Sequence, residues 1–152
     1  MSYSAAFSQA VEIVLYLSIK QKEDKLKYLS IQVISEKLEI PIPSVKRLVS
    51  LLKKEGIISS KTGIAGGLSI QKDVETITLF DIFQSIEGSK KPLFNFYDSF
   101  DLSQFENSSD VELYLNNFQE ILTNAESAMV KELKSCTCLL YTSPSPRDRS
   151  LS

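Results

Sequence analysis

The sequence predicts a mainly α-helical fold that carries one small β-hairpin and a long helix near the C-terminus. Apolar residues recur at helical spacing in several segments, a glycine-rich turn divides two short apolar runs, and a final apolar repeat continues for roughly 25 residues. The length of 152 residues suits one small domain with an appended helix. A chain with 43% hydrophobic and 24% charged residues is typical of an ordinary globular protein.

Two helices are expected before residue 40. The first spans about Ser4 to Lys20, and its nearly continuous apolar character indicates burial on several sides. Its expected inward residues are Phe7, Val11, Val14 and Leu15. Ser30 is placed to cap a second, short helix, whose expected inward residues are Ile31, Ile34 and Leu38. Pro41 and Pro43 then prevent a continuous helix and force a turn.

The most regular segment runs from Pro43 to Glu55, with Pro43 at the first helical position. An amphipathic helix is predicted by apolar residues at i, i+3, i+4 and i+7, which are Val45, Leu48, Val49 and Leu52. The opposite face carries Lys46, Arg47, Ser50 and Lys54. Gly56 is expected to end this helix. A short helix, a tight turn and a second helix with a basic outer face constitute a helix-turn-helix.

A hairpin and another helix follow. Ile57 to Lys61 and Leu68 to Lys72 are predicted strands, and the glycine-rich segment from Thr62 to Gly67 forms the exposed tip of a wing. Thr78 and Asp81 have the spacing of a capping box. The helix that they begin ends at Gly88, and its expected inward residues are Leu79, Ile82, Phe83 and Ile86. Residues 1–88 are therefore predicted to form a winged helix-turn-helix domain.

Residues 89–108 are irregular, acidic and rich in phenylalanine and tyrosine. Ser109 and Glu112 have capping-box spacing, and residues 109–135 are predicted to form one long helix. Its apolar seam is narrow and longer than a small domain needs for its own core, which favours a dimerisation helix. The predicted seam consists of Val111, Leu115, Phe118, Leu122, Ala125 and Met129.

Charge distribution indicates a nucleic-acid partner. The whole chain has a net charge of −2, whereas Pro43 to Thr62 contains five basic residues and one acidic residue. A concentrated basic face of this kind binds a phosphate backbone. The candidate contacts to double-stranded DNA are Pro43, Ser44, Lys46, Arg47, Ser50, Lys53, Lys54, Lys61, Thr62 and Gly63. The alternative is a winged-helix module that regulates a protein partner, because an acidic partner would fit the same patch. A small-molecule or protein effector is left open.

Catalytic and cofactor functions find no support in the sequence. It contains no histidine, no nucleophile paired with a base and no phosphate-binding loop, so we expect neither an enzyme nor a bound cofactor or metal. Cys136 and Cys138 both lie near the C-terminus, so they cannot form disulfide bonds across the rest of the chain. This is consistent with the reducing cytoplasm. No secretory signal or membrane span is expected, since the apolar run from Phe7 to Ile19 is short and contains Glu12.

The chain resembles the Rrf2 family of winged-helix regulators, which includes the IscR, NsrR, CymR and YwnA types. The resemblance is carried by Ser44 to Leu48, Leu51 to Ile58, the wing tip from Gly63 to Gly67, and Ile77 to Ile82 ending in Glu87-Gly88. It covers roughly residues 4–133. It implies a cytoplasmic homodimer, acting as a repressor, that inserts its recognition helix in the major groove and its wing in the adjacent minor groove.

The sequence departs from the family pattern at two functional places. Iron-sulfur members carry three cysteines in the loop before the dimerisation helix, and residues 90–110 contain none. The resemblance therefore implies a member without a cluster. Many wings open with arginine, where this chain has Thr62 beside Lys61, and Ala65 replaces a glycine.

The C-terminal segment, residues 136–152, is interpreted as non-native. From Cys138 to Ser150 it resembles translated sequencing-adapter readthrough, and a Ser/Pro/Arg-rich string without core residues begins where the helical pattern stops. A natural disordered tail is the alternative. Because the segment offers little apolar area, we expect its removal to leave the fold unchanged.

Overall fold

The computed structural model describes residues 5–23, 28–88, 92–97 and 99–137. In chain order its elements are α1 (Ala6–Glu23), α2 (Ile31–Leu38), α3 (Ile42–Lys54), β1 (Ile58–Lys61), β2 (Gly67–Ile70), α4 (Leu79–Glu87), a 3₁₀ turn (Leu102–Gln104) and α5 (Ser108–Lys134). Two compact units are present. The described residues within 1–89 and 133–152 form the first, and those within 90–132 form the second. The predicted fold class, mainly helical with one hairpin and a long C-terminal helix, is confirmed.

The core of the first unit is formed by α1, α3 and α4, with contributions from α2 and the hairpin. Phe7 of α1 meets Phe83 of α4 edge to face, with ring centroids 5.4 Å apart. Such pairs add to the stabilisation from burial alone. The fully buried large side chains are Ile13, Val14, Leu17, Ile34, Val45, Leu48, Leu52, Ile57, Ile58, Ile77 and Ile82.

The inward face of α1 differs from the prediction. Val14 is fully buried as expected, Phe7 and Val11 are partly buried, and Leu15 lies outside the core. The deepest residues are instead Ala10, Ile13, Val14 and Leu17. The reason is that α1 packs against α2, α3, α4 and β2, so an almost uniformly apolar helix does not reveal which stripe lies deepest.

The helix-turn-helix follows the local signals. The Ser30 hydroxyl accepts a 3.2 Å hydrogen bond from the Val33 N–H and caps α2, as predicted. Glu39 ends α2 in the left-handed region at φ 56°, and the Ser35 hydroxyl donates to the Ile40 carbonyl at 2.6 Å. Helix α3 begins at Ile42, so Pro43 occupies its second position and not the predicted first. Both positions lack an intrahelical acceptor, so proline is tolerated in either.

The two strands are antiparallel, and Ile58 pairs with Ile70 and Lys61 with Gly67. Leu29 adds two further backbone bonds to Leu68, at 2.9 and 2.6 Å. This approach requires glycine at position 67, because a Cβ there would lie 2.5 Å from the Leu29 carbonyl oxygen. The second strand is therefore displaced from the predicted Leu68 to Lys72 and includes Gly67.

Helix α4 begins with the predicted capping box. The Asp81 N–H donates to the Thr78 hydroxyl and the Thr78 N–H donates to the Asp81 carboxylate, both at 3.0 Å. Residues that follow α5 also reach this point: the Leu79 N–H donates to the Cys136 carbonyl at 2.9 Å, and Thr78 forms a bridge with Thr137. Residues 136 and 137 thus contact the start of α4 within the first unit, while 138–152, where the adapter-like string lies, are outside the described residues.

In the second unit, α5 begins at Ser108, and the Asn107 carbonyl accepts bonds from the N–H groups of Asp110 and Val111. Ser109 is thus inside the first turn, and the predicted capping box with Glu112 is wrong. The preceding segment contains the 3₁₀ turn, which Asp101 caps. Hydrogen bonds from the Ser103 hydroxyl and N–H hold the pKa of Asp101 below its usual value. Residues 89–91 and 98 are outside the described part of this segment.

Candidate nucleic-acid interface

Helix α3 separates an apolar from a basic face. Val45, Leu48, Val49 and Leu52 are all buried, as the spacing predicted. The exposed residues of the predicted interface on this helix are Pro43, Lys46, Arg47, Ser50, Lys53 and Lys54, while Ser44 is half-buried. Among the described residues, no carboxylate forms an ion pair with these basic side chains; the one ion pair joins Lys20 to Glu23. Their charge is therefore available to a phosphate backbone.

The exposed face of α3 contains two stripes. Lys46, Ser50 and Lys53, at positions i, i+4 and i+7, line a groove of about 250 Å³ that Ser60 and Leu68 of the hairpin close on the other side. Arg47 and Lys54 share the adjacent stripe and do not line this groove. A helix advances about 100° per residue, so the two stripes are separated by roughly a quarter turn. The helix therefore presents one basic edge beside the hairpin and a second that points away from the groove.

Lys53 contacts the hairpin directly. Its ammonium donates a 2.7 Å hydrogen bond to the hydroxyl of Ser60 on β1. This contact connects α3 with the hairpin. The sequence pattern assigned Lys53 to DNA contact from its position on a basic face, and it did not detect Ser60.

The wing carries Lys61, Thr62 and Gly63, all exposed. The ammonium of Lys61 lies 5.6 Å from the ring centroid of Tyr28, within the range of a cation–π contact. Ile64 at the tip is fully exposed, with a relative accessibility of 109%. An apolar side chain therefore stands at the tip of the wing, and sequence reasoning did not single it out or Tyr28.

Helix α1 also fixes the wing. The Gln21 amide nitrogen donates to the Ser69 hydroxyl, and its amide oxygen accepts from the Ile70 N–H, each at 2.9 Å. One side chain thus binds β2 through both of its polar atoms. Because Gln21 lies 48 residues before Ser69, no local pattern indicates this contact.

The predicted dimerisation seam lies on α5. In the single chain, Val111, Leu115, Leu122 and Met129 are half-buried, while Phe118 and Ala125 are exposed. No residue of α5 is fully buried. Tyr114 and Ile121, which the sequence analysis did not include, adjoin Phe118 and are 66% and 65% exposed. The apolar strip is therefore wider than predicted and open to a partner.

The fold is a helix-turn-helix with an adjoining hairpin, and among the described residues the basic side chains of its second helix form no ion pair. These features define the class of winged-helix transcriptional regulators. Residues 3–139 match the Rrf2 family, which is described as an iron-dependent transcriptional regulator. The chain belongs to this family, as its resemblance predicted. The prediction that it is a regulator and not an enzyme is also confirmed.

Individual relatives agree with this family. The chain is 31% identical over 88 residues to YwgB of Bacillus subtilis, which is named as an HTH-type transcriptional regulator. The match covers 58% of this chain and 54% of YwgB, and the chain spans about half the length of the curated relatives that it matches.

Solved structures establish the fold. T. potens IscR superposes with a TM-score of 0.66 at 20% identity, over 91% of this chain and 84% of that one. CymR, the global cysteine regulator of B. subtilis, superposes with a TM-score of 0.65 at 20% identity. This match covers 91% of this chain and 93% of CymR.

The residues present do not fit an iron-sulfur cluster held in the manner of the family. Thiolates are the usual ligands of such clusters. The sequence has two cysteines, both after α5, and no histidine, and the described residues contain no group of three or more side chains suited to a metal ion. No described helix is long and apolar enough to cross a bilayer.

Proposed function

We propose that this chain is a sequence-specific transcriptional regulator that binds double-stranded operator DNA as a homodimer. Helix α3 enters the major groove and the hairpin approaches the adjacent minor groove. The observation that carries the proposal is the two-sided character of α3, which buries Val45, Leu48, Val49 and Leu52 and exposes five polar or basic residues. Burial of the apolar side fixes the helix in the unit, so the basic side is held in place before DNA arrives.

Arg47 is the proposed base-reading residue. A recognition helix approaches base edges with its N-terminal part, and arginine can bond both acceptors of a guanine. Arg47 is exposed in the second turn of α3. Lys46, on the neighbouring stripe, bonds a base or a phosphate. The side chain of Ser50 is short, so it contacts DNA only where the DNA backbone lies close to α3.

Contacts to the DNA backbone are assigned to other positions of α3 and of the wing. Lys54 at the end of α3 and Lys61 on the wing act as point charges. Pro43 and Ser44 present the start of α3, where the helix dipole favours an anion. Thr62 has a small side chain and Gly63 has none. Where these two residues approach the minor groove, the wing therefore responds to groove width and to the DNA backbone more than to base identity.

The proposed dimer uses α5. Val111, Leu115, Phe118, Leu122, Ala125 and Met129 form its seam, with Tyr114 and Ile121 as flanking contacts. An exposed apolar strip of this kind marks an interaction site on a protein in water. A two-fold dimer presents two α3 helices, which matches the symmetry of a palindromic operator. The proposed site of action is the cytoplasm, and occupation of a promoter by such a dimer represses transcription.

The test is fluorescence anisotropy with labelled DNA from the region upstream of the chain's own coding sequence, against a scrambled duplex of equal composition. We expect the Lys46→Ala/Arg47→Ala double variant to bind the upstream DNA at least about tenfold more weakly, since the free energies of the phosphate and base contacts that it removes add. The control is Lys20→Ala/Lys22→Ala, which removes the same charge from the end of α1. A folded dimer that binds no duplex would favour the protein-interaction alternative, and equal weakening by both variants would contradict the assigned surface.

A further inference from the structure

The second unit contains a cavity that none of the proposed DNA-contacting residues lines. It lies between the segment before the 3₁₀ turn and one side of α5, and its volume is about 300 Å³. Small-molecule sites begin at about this size. Two leucines of α5 form its floor, and five aromatic rings surround it, which belong to Phe94, Phe96, Tyr97, Phe100 and Phe118.

Contacts outside the cavity hold its walls in place. The Leu93 N–H donates to the carboxylate of Glu126 on α5, which attaches the start of the aromatic segment to the helix. At the other end, the Phe100 ring stacks on Phe105 with centroids 5.7 Å apart and an interplanar angle of 8°. Asp101 then caps the 3₁₀ turn through Ser103. The segment is thus anchored at both ends, so the cavity does not depend on a ligand to exist.

The rings have apolar surface left to cover. Phe94, Phe96 and Phe100 are 37%, 38% and 44% exposed, whereas Phe83 in the core of the first unit is 9% exposed. Aromatic side chains of a completed core are buried far more deeply. A ligand that entered between these rings would remove that surface from water.

The charge of the second unit indicates which kind of ligand the cavity would bind. None of the described lining residues is charged, and Gln119 and Asn95 are the amides among them. The sequence of the unit, residues 90–132, has three lysines against eight acidic residues, a net charge of −5. Such a unit attracts cations and repels anions. Aromatic faces are negative and bind alkylated ammonium groups.

We propose that this cavity binds a lipophilic organic cation, an alkylated ammonium group attached to an apolar body. The aromatic rings contact the cationic group and the leucines of α5 contact the apolar part. Leu115, Phe118 and Leu122 line the cavity and also belong to the proposed dimer seam, whereas Tyr114, Ile121 and Ala125 are exposed and do not line it. The cavity therefore adjoins the proposed interface, and its occupation by a second copy of the chain is the alternative that the experiment tests.

The experiment uses the full chain without DNA, so its result is independent of operator binding. The probe is phenyltrimethylammonium, and its control is tert-butylbenzene, in which carbon replaces the charged nitrogen at equal shape. Protein-detected NMR titration reports both affinity and position. We expect saturable binding of one cation per chain, at least about fivefold tighter than the neutral probe, because the cation–π contribution is absent from the latter.

Two variants locate the site. Gln119→Lys places a positive charge in the wall and is expected to weaken cation binding at least about tenfold. Asn117→Lys adds the same charge to an exposed position of α5 outside the cavity and is expected to change it less than about twofold. Equal affinity for both probes, equal effects of the two variants, or chemical shifts confined to other residues would overturn the proposal. Displacement of the probe on dimer formation would assign the cavity to the interface and overturn it as well.

Discussion

The ammonium of Lys53 donates a 2.7 Å hydrogen bond to the hydroxyl of Ser60, and this bond joins the last turn of α3 to the first strand of the hairpin. Both side chains are at the surface, so the bond contributes little to the stability of the fold. Its consequence is geometric. It adds a direct contact between the helix assigned to the major groove and the wing assigned to the minor groove.

A double-mutant cycle distinguishes this positioning role from direct phosphate contact by Lys53. If the bond orients the wing, Lys53→Ala and Ser60→Ala each weaken operator binding by a similar factor, about two- to tenfold, and the double variant binds no more weakly than either. The measurement is anisotropy at several salt concentrations. If Ser60→Ala is neutral while Lys53→Ala lowers the slope of the salt dependence by about one unit, Lys53 binds phosphate.

Arg47 and Lys54 share one stripe of α3 but are predicted to have different roles. Arg47→Ala should cost roughly 1–3 kcal/mol per half-site and relax preference at one base pair. Lys54→Ala should weaken binding to the operator and to a scrambled duplex alike, and flatten the salt dependence by about one unit for each phosphate that the ammonium no longer neutralises. Competition with single-base operator variants provides the check. Equal weakening on all duplexes by Arg47→Ala would make Arg47 a backbone contact.

Local patterns predicted α3 because four apolar residues at helical spacing leave one choice of buried face. They failed where a contact joins two different elements. Gln21 binds β2, Lys61 lies over Tyr28, and Lys53 of α3 donates to Ser60 of β1. In α1, uniform apolarity concealed the buried stripe.

Helix starts illustrate the same limit. Thr78 and Ser109 have equivalent capping-box spacing, yet only Thr78 caps a helix. At the start of α5 the candidates Asn107, Ser108 and Ser109 are consecutive, so spacing alone cannot select among them. The structure begins the helix at Ser108.

These two positions allow a matched test of stability. Thr78→Ala removes the acceptor of the Asp81 N–H and should lower the free energy of unfolding by about 0.5–2 kcal/mol. Ser109→Ala, at a position inside α5, should change it by less than about 0.5 kcal/mol. Urea unfolding followed by circular dichroism, at one fixed protein concentration, gives both values. A larger decrease from Ser109→Ala would restore the second capping box.

The dimer proposal predicts that a substitution weakens the dimer on one side of α5 and not on another. Phe118 and Leu113 are each 55% exposed, and helical geometry separates them by about 140°. Phe118→Asp should give monomers or sharply raise the dimer dissociation constant, because a carboxylate would be buried in an apolar interface. Leu113→Asp adds the same charge and should remain dimeric. Sedimentation velocity separates the cases, and two variants that both remain dimers would place the interface elsewhere.

The end of α5 carries the last prediction, which corrects the expectation that removal of residues 136–152 is without effect. Leu79 is the first residue of α4, so its N–H has no acceptor within that helix, and the Cys136 carbonyl satisfies it. A chain ending at Thr137 keeps this bond and should match the full chain, whereas one ending at Ser135 should be less stable by about 0.5–1.5 kcal/mol of unfolding free energy. Cys136→Ala in the full chain is the control, because it removes the thiol but keeps the carbonyl. Equal stability of the two truncated chains in urea would show that the bond to Cys136 contributes nothing, and destabilisation by Cys136→Ala would assign the effect to the side chain.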